Sequence, residues 1–137
     1  MKSLTTVLLF MTLLQNTICG AADTSICNPT GSIDFFKNGQ LKACDLKENF
    51  EIGSLKCNAN SPISFHQNGT IASCVLYEDY SADGTPCGDQ GIISFYSSGK
   101  LQSCTLDKDF VVDGKKCIGA QPIQLYENGN TQSCTTE

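Results

Sequence analysis

Apolar and polar residues alternate along this chain in short, evenly spaced runs. In "SIDFF", Ile33 and Phe35 point one way and Asp34 the other, and Ile63 with Phe65, Ile93 with Phe95, and Ile123 with Leu125 repeat the alternation. A period of two is the signature of a half-buried strand. No segment beyond the first twenty-two residues carries a helical period. Phe35, Phe50, Phe65, Tyr80, Phe95, Phe110 and Leu125 recur every 15 residues, and for six of them a glycine follows four positions later. Those glycines follow Asn, Asp or Ser: Asn-Gly at 38, 68 and 128, Asp-Gly at 83 and 113, Ser-Gly at 98. Asn-Gly and Asp-Gly between apolar runs are strong hairpin signals. The exception is Gly53-Ser54, where the glycine comes one position early. The pattern predicts an all-β chain, an elongated antiparallel train of hairpins arranged as a meander or solenoid.

A two-residue turn at Asn38-Gly39 sets Phe36 opposite Leu41, Phe35 opposite Lys42 and Ile33 opposite Cys44. Directly opposed residues share a face. Ile33, Phe35, Cys44 and Leu46 then form the core face, with Ile63, Phe65, Cys74, Leu76 and Ile93, Phe95, Cys104, Leu106 as equivalents. The other face carries Phe36 with Leu41, His66 with Ile71, Tyr96 with Leu101, and Tyr126 with Thr131. A three-residue turn with a bulge slips the second strand by one residue and exchanges its faces; both registers stay open.

The cysteines impose a longer period. Cys27, Cys44, Cys57, Cys74, Cys87, Cys104, Cys117 and Cys134 are separated by gaps that alternate 17 and 13, a repeat of 30 residues with no insertion. This divides the chain into four tandem units, 27–56, 57–86, 87–116 and a shortened 117–137. An even cysteine count in a short exported chain points to disulfides rather than to metal or redox chemistry. Bridges across each gap of 17 give Cys27–Cys44, Cys57–Cys74, Cys87–Cys104 and Cys117–Cys134 and leave no thiol over. Bridges across the gaps of 13 strand Cys27 and Cys134 at opposite ends of an array whose units touch only their neighbours. Bridges between neighbouring repeats are the remaining alternative. A bridge that closes a loop of this size contributes roughly 3 kcal/mol in the chain-entropy account.

The opening segment reads differently. "MKSLTTVLLFMTLLQNTICGAA" has a cation at Lys2, an apolar run from Val7 to Leu14 and then small residues. That is the layout of a signal peptide over residues 1–21, cut after Ala21 or Ala22, with an apolar run too short to span a bilayer. The rival reading lipidates the ninth cysteine, Cys19, as an anchor, although Ile18 stands where such a site wants a small residue. The expected location is secreted, extracellular or periplasmic. Without Lys2 the chain holds eight Lys and no Arg against fourteen acids, a net charge of −6. No basic stripe is available for nucleic acid, and an anionic membrane surface repels such a domain.

Candidate chemistry changes the picture little. His66 is the single histidine and stands where sister units have Phe36, Tyr96 and Tyr126, so it reads as a variant of an aromatic position rather than as a general base. Zinc would need more than one histidine beside bridged cysteines. Glu78, Asp79 and Asp83 match Asp109 and Asp113, with Asp107 nearby, while the first unit has Glu48, Asn49 and Gly53. These acids lack the ligand rhythm of an EF-hand, and turn chemistry accounts for Asp83 and Asp113. Asn68-Gly69-Thr70 is a glycosylation sequon if the host is eukaryotic. No catalytic residue, cofactor or metal is expected. Phe36, His66, Tyr96 and Tyr126 fall at one pitch and are either a binding strip, if exposed, or core, if a second layer covers them.

"FFKNGQL", "FYSSGKL" and "LYENGN", with an aromatic-x-x-Asp-Gly pattern fifteen residues on, resemble the hairpin repeats of MORN-type proteins over Ile33 to Gly129. The bacterial second MORN class is the nearer likeness. MORN units are shorter and usually lack cysteines. The resemblance implies an elongated antiparallel sheet and a binding or scaffolding role rather than an enzyme. The expectation is therefore a secreted, disulfide-rich repeat module that binds a macromolecule, protein or glycan. Alternatives are a small secreted hydrolase or hydrolase inhibitor, and a calcium-dependent adhesion module. Catalysis would need one repeat to break the pattern, and an inhibitor would need one loop to bulge. An open sheet edge at the C-terminal end invites either self-association or a partner there.

Overall fold

The computed structural model describes residues 23–137; residues 1–22, with the expected signal segment and Cys19, lie outside the described residues. After a single 3-10 turn at Thr24–Ile26, the chain forms fourteen strands. They are β1 (Ile33–Phe35), β2 (Leu41–Asp45), β3 (Phe50–Ile52), β4 (Leu55–Cys57), β5 (Pro62–Phe65), β6 (Ile71–Val75) and β7 (Tyr80–Ala82). Then follow β8 (Thr85–Cys87), β9 (Ile92–Phe95), β10 (Leu101–Thr105), β11 (Phe110–Val112), β12 (Lys115–Cys117), β13 (Pro122–Leu125) and β14 (Thr131–Cys134). Among the described residues all pairings are antiparallel and no barrel closes.

The hairpins alternate between two jobs. The long ones join into one eight-stranded sheet in the order β1-β2-β5-β6-β9-β10-β13-β14. The short ones, β3-β4, β7-β8 and β11-β12, stand apart as two-stranded pieces. The turn residues distinguish the two kinds. Short hairpins turn on two residues: Asp83 and Gly84 have φ of 50° and 85°, Asp113 and Gly114 of 51° and 72°, the paired positive values of a type I′ turn. Gly53-Ser54 closes β3-β4 with the positive φ on Gly53, the glycine-first order of a type II′ turn.

Long hairpins use a three-residue turn. Gly39 N–H donates to the Phe36 carbonyl at 2.9 Å and Phe36 N–H to the Gln40 carbonyl at 2.8 Å. Gly39 takes φ +85° while Asn38 is not among the positive-φ residues. Asn38 serves instead as an acceptor, its Oδ1 taking the Gln40 N–H at 3.0 Å. Asn68 and Asn128 cap Thr70 and Asn130 in the same way.

This turn shifts the register by one residue, and a bulge at once shifts it back. Asp34 faces Ala43 and Phe35 faces Leu41, so Lys42 is the extra residue. Ala72, Gln102 and Gln132 occupy the same slot in the other units. The compensation keeps Ile33 opposite Cys44, as the two-residue turn predicted. It corrects the positions next to the turn. Leu41, Ile71 and Leu101 face Phe35, Phe65 and Phe95 and lie buried in the core. They do not share a face with Phe36, His66 and Tyr96, and Thr131, which faces Leu125, does not share one with Tyr126.

The core lies between the sheet and the short hairpins. Ile63, Phe65, Cys74 and Leu76 and their counterparts come from the sheet; Leu55, Cys57, Ala82 and Cys87 come from the short hairpins, with Phe50, Tyr80 and Phe110 packed at the margin. The bridges are Cys27–Cys44, Cys57–Cys74, Cys87–Cys104 and Cys117–Cys134, each spanning 17 residues. In units two to four the first cysteine ends a short hairpin and the second lies in the next long one, so the bridge ties layer to layer. Shrinking a fully buried contact in this layer is costly. Ile93→Ala is expected to lower stability by roughly 2–5 kcal/mol, whereas Phe35→Ala, at a 53%-exposed position on β1, should cost under about 1 kcal/mol; denaturant unfolding of the oxidised protein measures both.

Candidate functional site

The second face of the eight-stranded sheet carries no covering layer among the described residues. Along each inner strand the alternation that buries Ile63 and Phe65 turns Ser64 outward; Ser94 and Gln124 occupy the same place. Ser64 and Ser94 both lie opposite Ser73, on either side of it, and the Ser64 and Ser73 hydroxyls are 2.7 Å apart. Ser103 sits between Ser94 and Gln124 in the same manner. The floor of this face is thus small hydroxyls and amides.

The predicted aromatic row borders that floor. Phe36, His66, Tyr96 and Tyr126 each stand immediately before a three-residue turn and send an N–H into it. Two of them reach across to the next long hairpin. His66 Nε2 donates to the Phe95 carbonyl at 2.8 Å, and the Tyr96 hydroxyl donates to the Leu125 carbonyl at 2.8 Å. The carbonyl has no proton to give, so Nε2 carries it. Phe36 has no donor; the Lys42 ammonium sits 6.0 Å from its ring centre, at the outer reach of a cation–π contact. Tyr126 is 51% exposed, and its hydroxyl makes no hydrogen bond among the described residues. The row is therefore half staple and half surface: its polar tips lock neighbouring units in register while its rings stay partly accessible.

Two hollows lie on this face. One of about 630 Å³ is bordered by Phe36, Lys42, Ser64, His66, Asn68 and Ser97. The other, about 380 Å³, is lined by Ser94, Gln102, Ser103, Gln124 and Gln132. Lys42 is the one charged side chain in either lining. Asn68 sits at the rim of the first. Its Nδ2 donates to the Ser97 carbonyl at 2.8 Å and its Oδ1 accepts the Thr70 hydroxyl at 2.7 Å. A sugar on Asn68 would have to share that nitrogen with Ser97.

The acids have structural work elsewhere. Asp79 Oδ1 accepts the Asp89 N–H and Asp109 Oδ1 the Gly119 N–H, both at 2.8 Å, and Asn49 does the same for Ala59 at 2.9 Å. Each caps the link between a short hairpin and the next long one. The Gly119 N–H, and then Lys116, hold the Asp109 carboxyl below its ordinary value. The Lys116 ammonium is pushed up by Glu137 and Asp109, and that of Lys56 by Glu78. Asp83 and Asp113 hold the positive-φ turn positions. Among the described residues no three His, Cys, Asp or Glu side chains converge to hold a metal ion.

Sequence reasoning missed two features here. The serine floor was visible as Ser64 and Ser94 thirty residues apart, each between two core residues. The caps were visible as Asn49, Asp79 and Asp109 at the same spacing, where the shared property is a side-chain oxygen rather than a charge. In comparison with known proteins, no family model, curated protein or solved structure matches this chain.

Tyr96→Phe removes only the hydroxyl and is expected to cost about 1 kcal/mol in thermal or denaturant unfolding. Asp109→Asn should preserve the cap, as Asn49 does naturally, whereas Asp109→Ala should lower the melting temperature. The Asp109 carboxyl is depressed on folding, so its contribution is present above the ordinary carboxylate value and lost as pH falls through the lower folded value. Melting curves taken across that acid range should show this loss in the parent and not in Asp109→Asn.

Proposed function

We propose that this chain is an exported binding module that holds an elongated macromolecule, protein or glycan, along the uncovered face of its long sheet. The observation that carries the reading is the aromatic row set at one-unit pitch beside a floor of serine and glutamine. Rings supply contact area, and hydroxyls and amides supply directed hydrogen bonds; together these groups hold a ligand rather than transform one. The single histidine is engaged with the Phe95 carbonyl, and among the described residues no hydroxyl or thiol is hydrogen-bonded to its ring. Ile92, exposed on β9, adds apolar surface to the same face.

Export is supported by four disulfides, which persist in oxidising compartments, and by the leader-like opening. Among the described residues no helix is long and apolar enough to cross a membrane. The MORN-like spacing of the turns agrees with a scaffolding or binding role. A rigid row of equal units also suits a long partner, because each unit offers the same contacts again and weak ones add along the row.

The test is capture from the protein's natural surroundings with the oxidised chain as bait, followed by binding measurements on whatever is retained. The double variant Phe36→Ala, Tyr126→Ala should weaken that binding at least about tenfold, or roughly 1.4 kcal/mol. Val111→Ser, at an exposed site on β11 in the short-hairpin layer, should leave it unchanged. The opposite pattern would put the partner on the short hairpins and overturn the reading.

A further inference from the structure

The two ends of the sheet are complementary. Inside the chain, each unit meets the next in one register: Cys44 opposite Ile63, Cys74 opposite Ile93, Cys104 opposite Ile123. At the outer edges β14 carries Cys134 and β1 carries Ile33, and neither strand has a partner on its outer side among the described residues. The last edge thus ends on the residue type that every junction places first, and the first edge begins with the type that every junction places second.

The side chains at both edges show what is missing. Ile63, Ile93 and Ile123 are fully buried, while Ile33 is only partly buried. Phe65 and Phe95 are 6% and 8% exposed, against 53% for Phe35. At the other end, His66 and Tyr96 each reach a carbonyl twenty-nine residues on, whereas the Tyr126 hydroxyl reaches none. On the core face of the same end, opposite Leu125, Thr131 keeps a buried hydroxyl without a partner. A hollow of about 530 Å³ lined by Lys115, Lys116, Thr131, Gln132, Thr136 and Glu137 opens on that same end.

We infer that β14 of one copy pairs antiparallel with β1 of a second copy, head to tail, in the register of the internal junctions. Cys134 then lies opposite Ile33 and Ser133 opposite Asp34, as Ser103 lies opposite Gln124 within the chain. The Tyr126 hydroxyl donates to the Phe35 carbonyl of the second copy, and the Phe35 ring is covered. At the place of Ala59, Asp89 and Gly119, whose N–H groups are capped, the first unit has Pro29, which has no N–H to satisfy. The contact joins two different surfaces, so it does not close on itself and produces an open series rather than a fixed dimer. Paired edges also remove the hazard of bare ones.

Sedimentation of the oxidised protein over a range of concentrations, at an ionic strength that screens its negative charge, should show dimers, trimers and longer species growing in together. Phe35→Lys, which alters an exposed side chain and spares the core, should leave monomers; Tyr126→Phe should weaken each contact about fivefold. Direction is read by mixing Asp34→Cys with Ser133→Cys under mild oxidation. The expected product is a mixed dimer linked 34 to 133, found by peptide mapping. A monomer at every concentration, a series unchanged by Phe35→Lys, or a dominant 133-to-133 link would each overturn the proposal.

Discussion

The constraint on which the rest depends is the covalent tie between the two layers. The short hairpins have strands of three residues, too few to hold themselves in water. What keeps them over the sheet is the cysteine at the end of each, bonded to a cysteine in the following long hairpin, their Cα atoms 5.6 to 5.8 Å apart. With the tie in place, Ile63, Ile93 and Ile123 are sealed from solvent. Without it the sheet would be wet on both faces, and its single row of large apolar side chains per unit would have little to pack against. The acid and amide caps at Asn49, Asp79 and Asp109 then fix the path by which each short hairpin returns to the sheet.

Covering one face leaves the other to do something else. On that face the same period that seats the core places rings, hydroxyls and amides in rows. Two members of the aromatic row, His66 and Tyr96, hold neighbouring units together while keeping their rings at the surface. Fold maintenance and the proposed binding role therefore share residues, and substitutions there need a stability control before any loss of binding is interpreted. The same translational order gives the two outer strands among the described residues, β1 and β14, the register of the internal junctions.

Much of the architecture was legible. The 15-residue beat marked every hairpin, and the set Ile63, Phe65, Cys74, Leu76 was the core face. The alternation of layers was harder to read, because both hairpin types have an aromatic residue and a glycine at matching places. The distinction was present as Asn or Ser before glycine in long hairpins and Asp in the intact short ones. It was obscured by treating Asn-Gly only as a source of positive φ, whereas Asn38, Asn68 and Asn128 act through their side-chain oxygens. The paired shift of turn and bulge could not be seen either. Two opposite one-residue slips cancel over the strand and leave a trace only next to the turn, at Leu41, Ile71, Leu101 and Thr131, none of which is tied by its side chain to one face. The candidate site was half legible: the aromatic row was found, but its bonds to Phe95 and Leu125 depend on contacts between units that no spacing rule supplies.

The layer-to-layer tie is tested most directly by peptide mapping of the oxidised protein without reduction. The account predicts four bridges, each joining cysteines 17 residues apart, Cys27 with Cys44 through Cys117 with Cys134. Bridges joining cysteines across the intervening gaps of 13, or free thiols at Cys57 and Cys74, would contradict it.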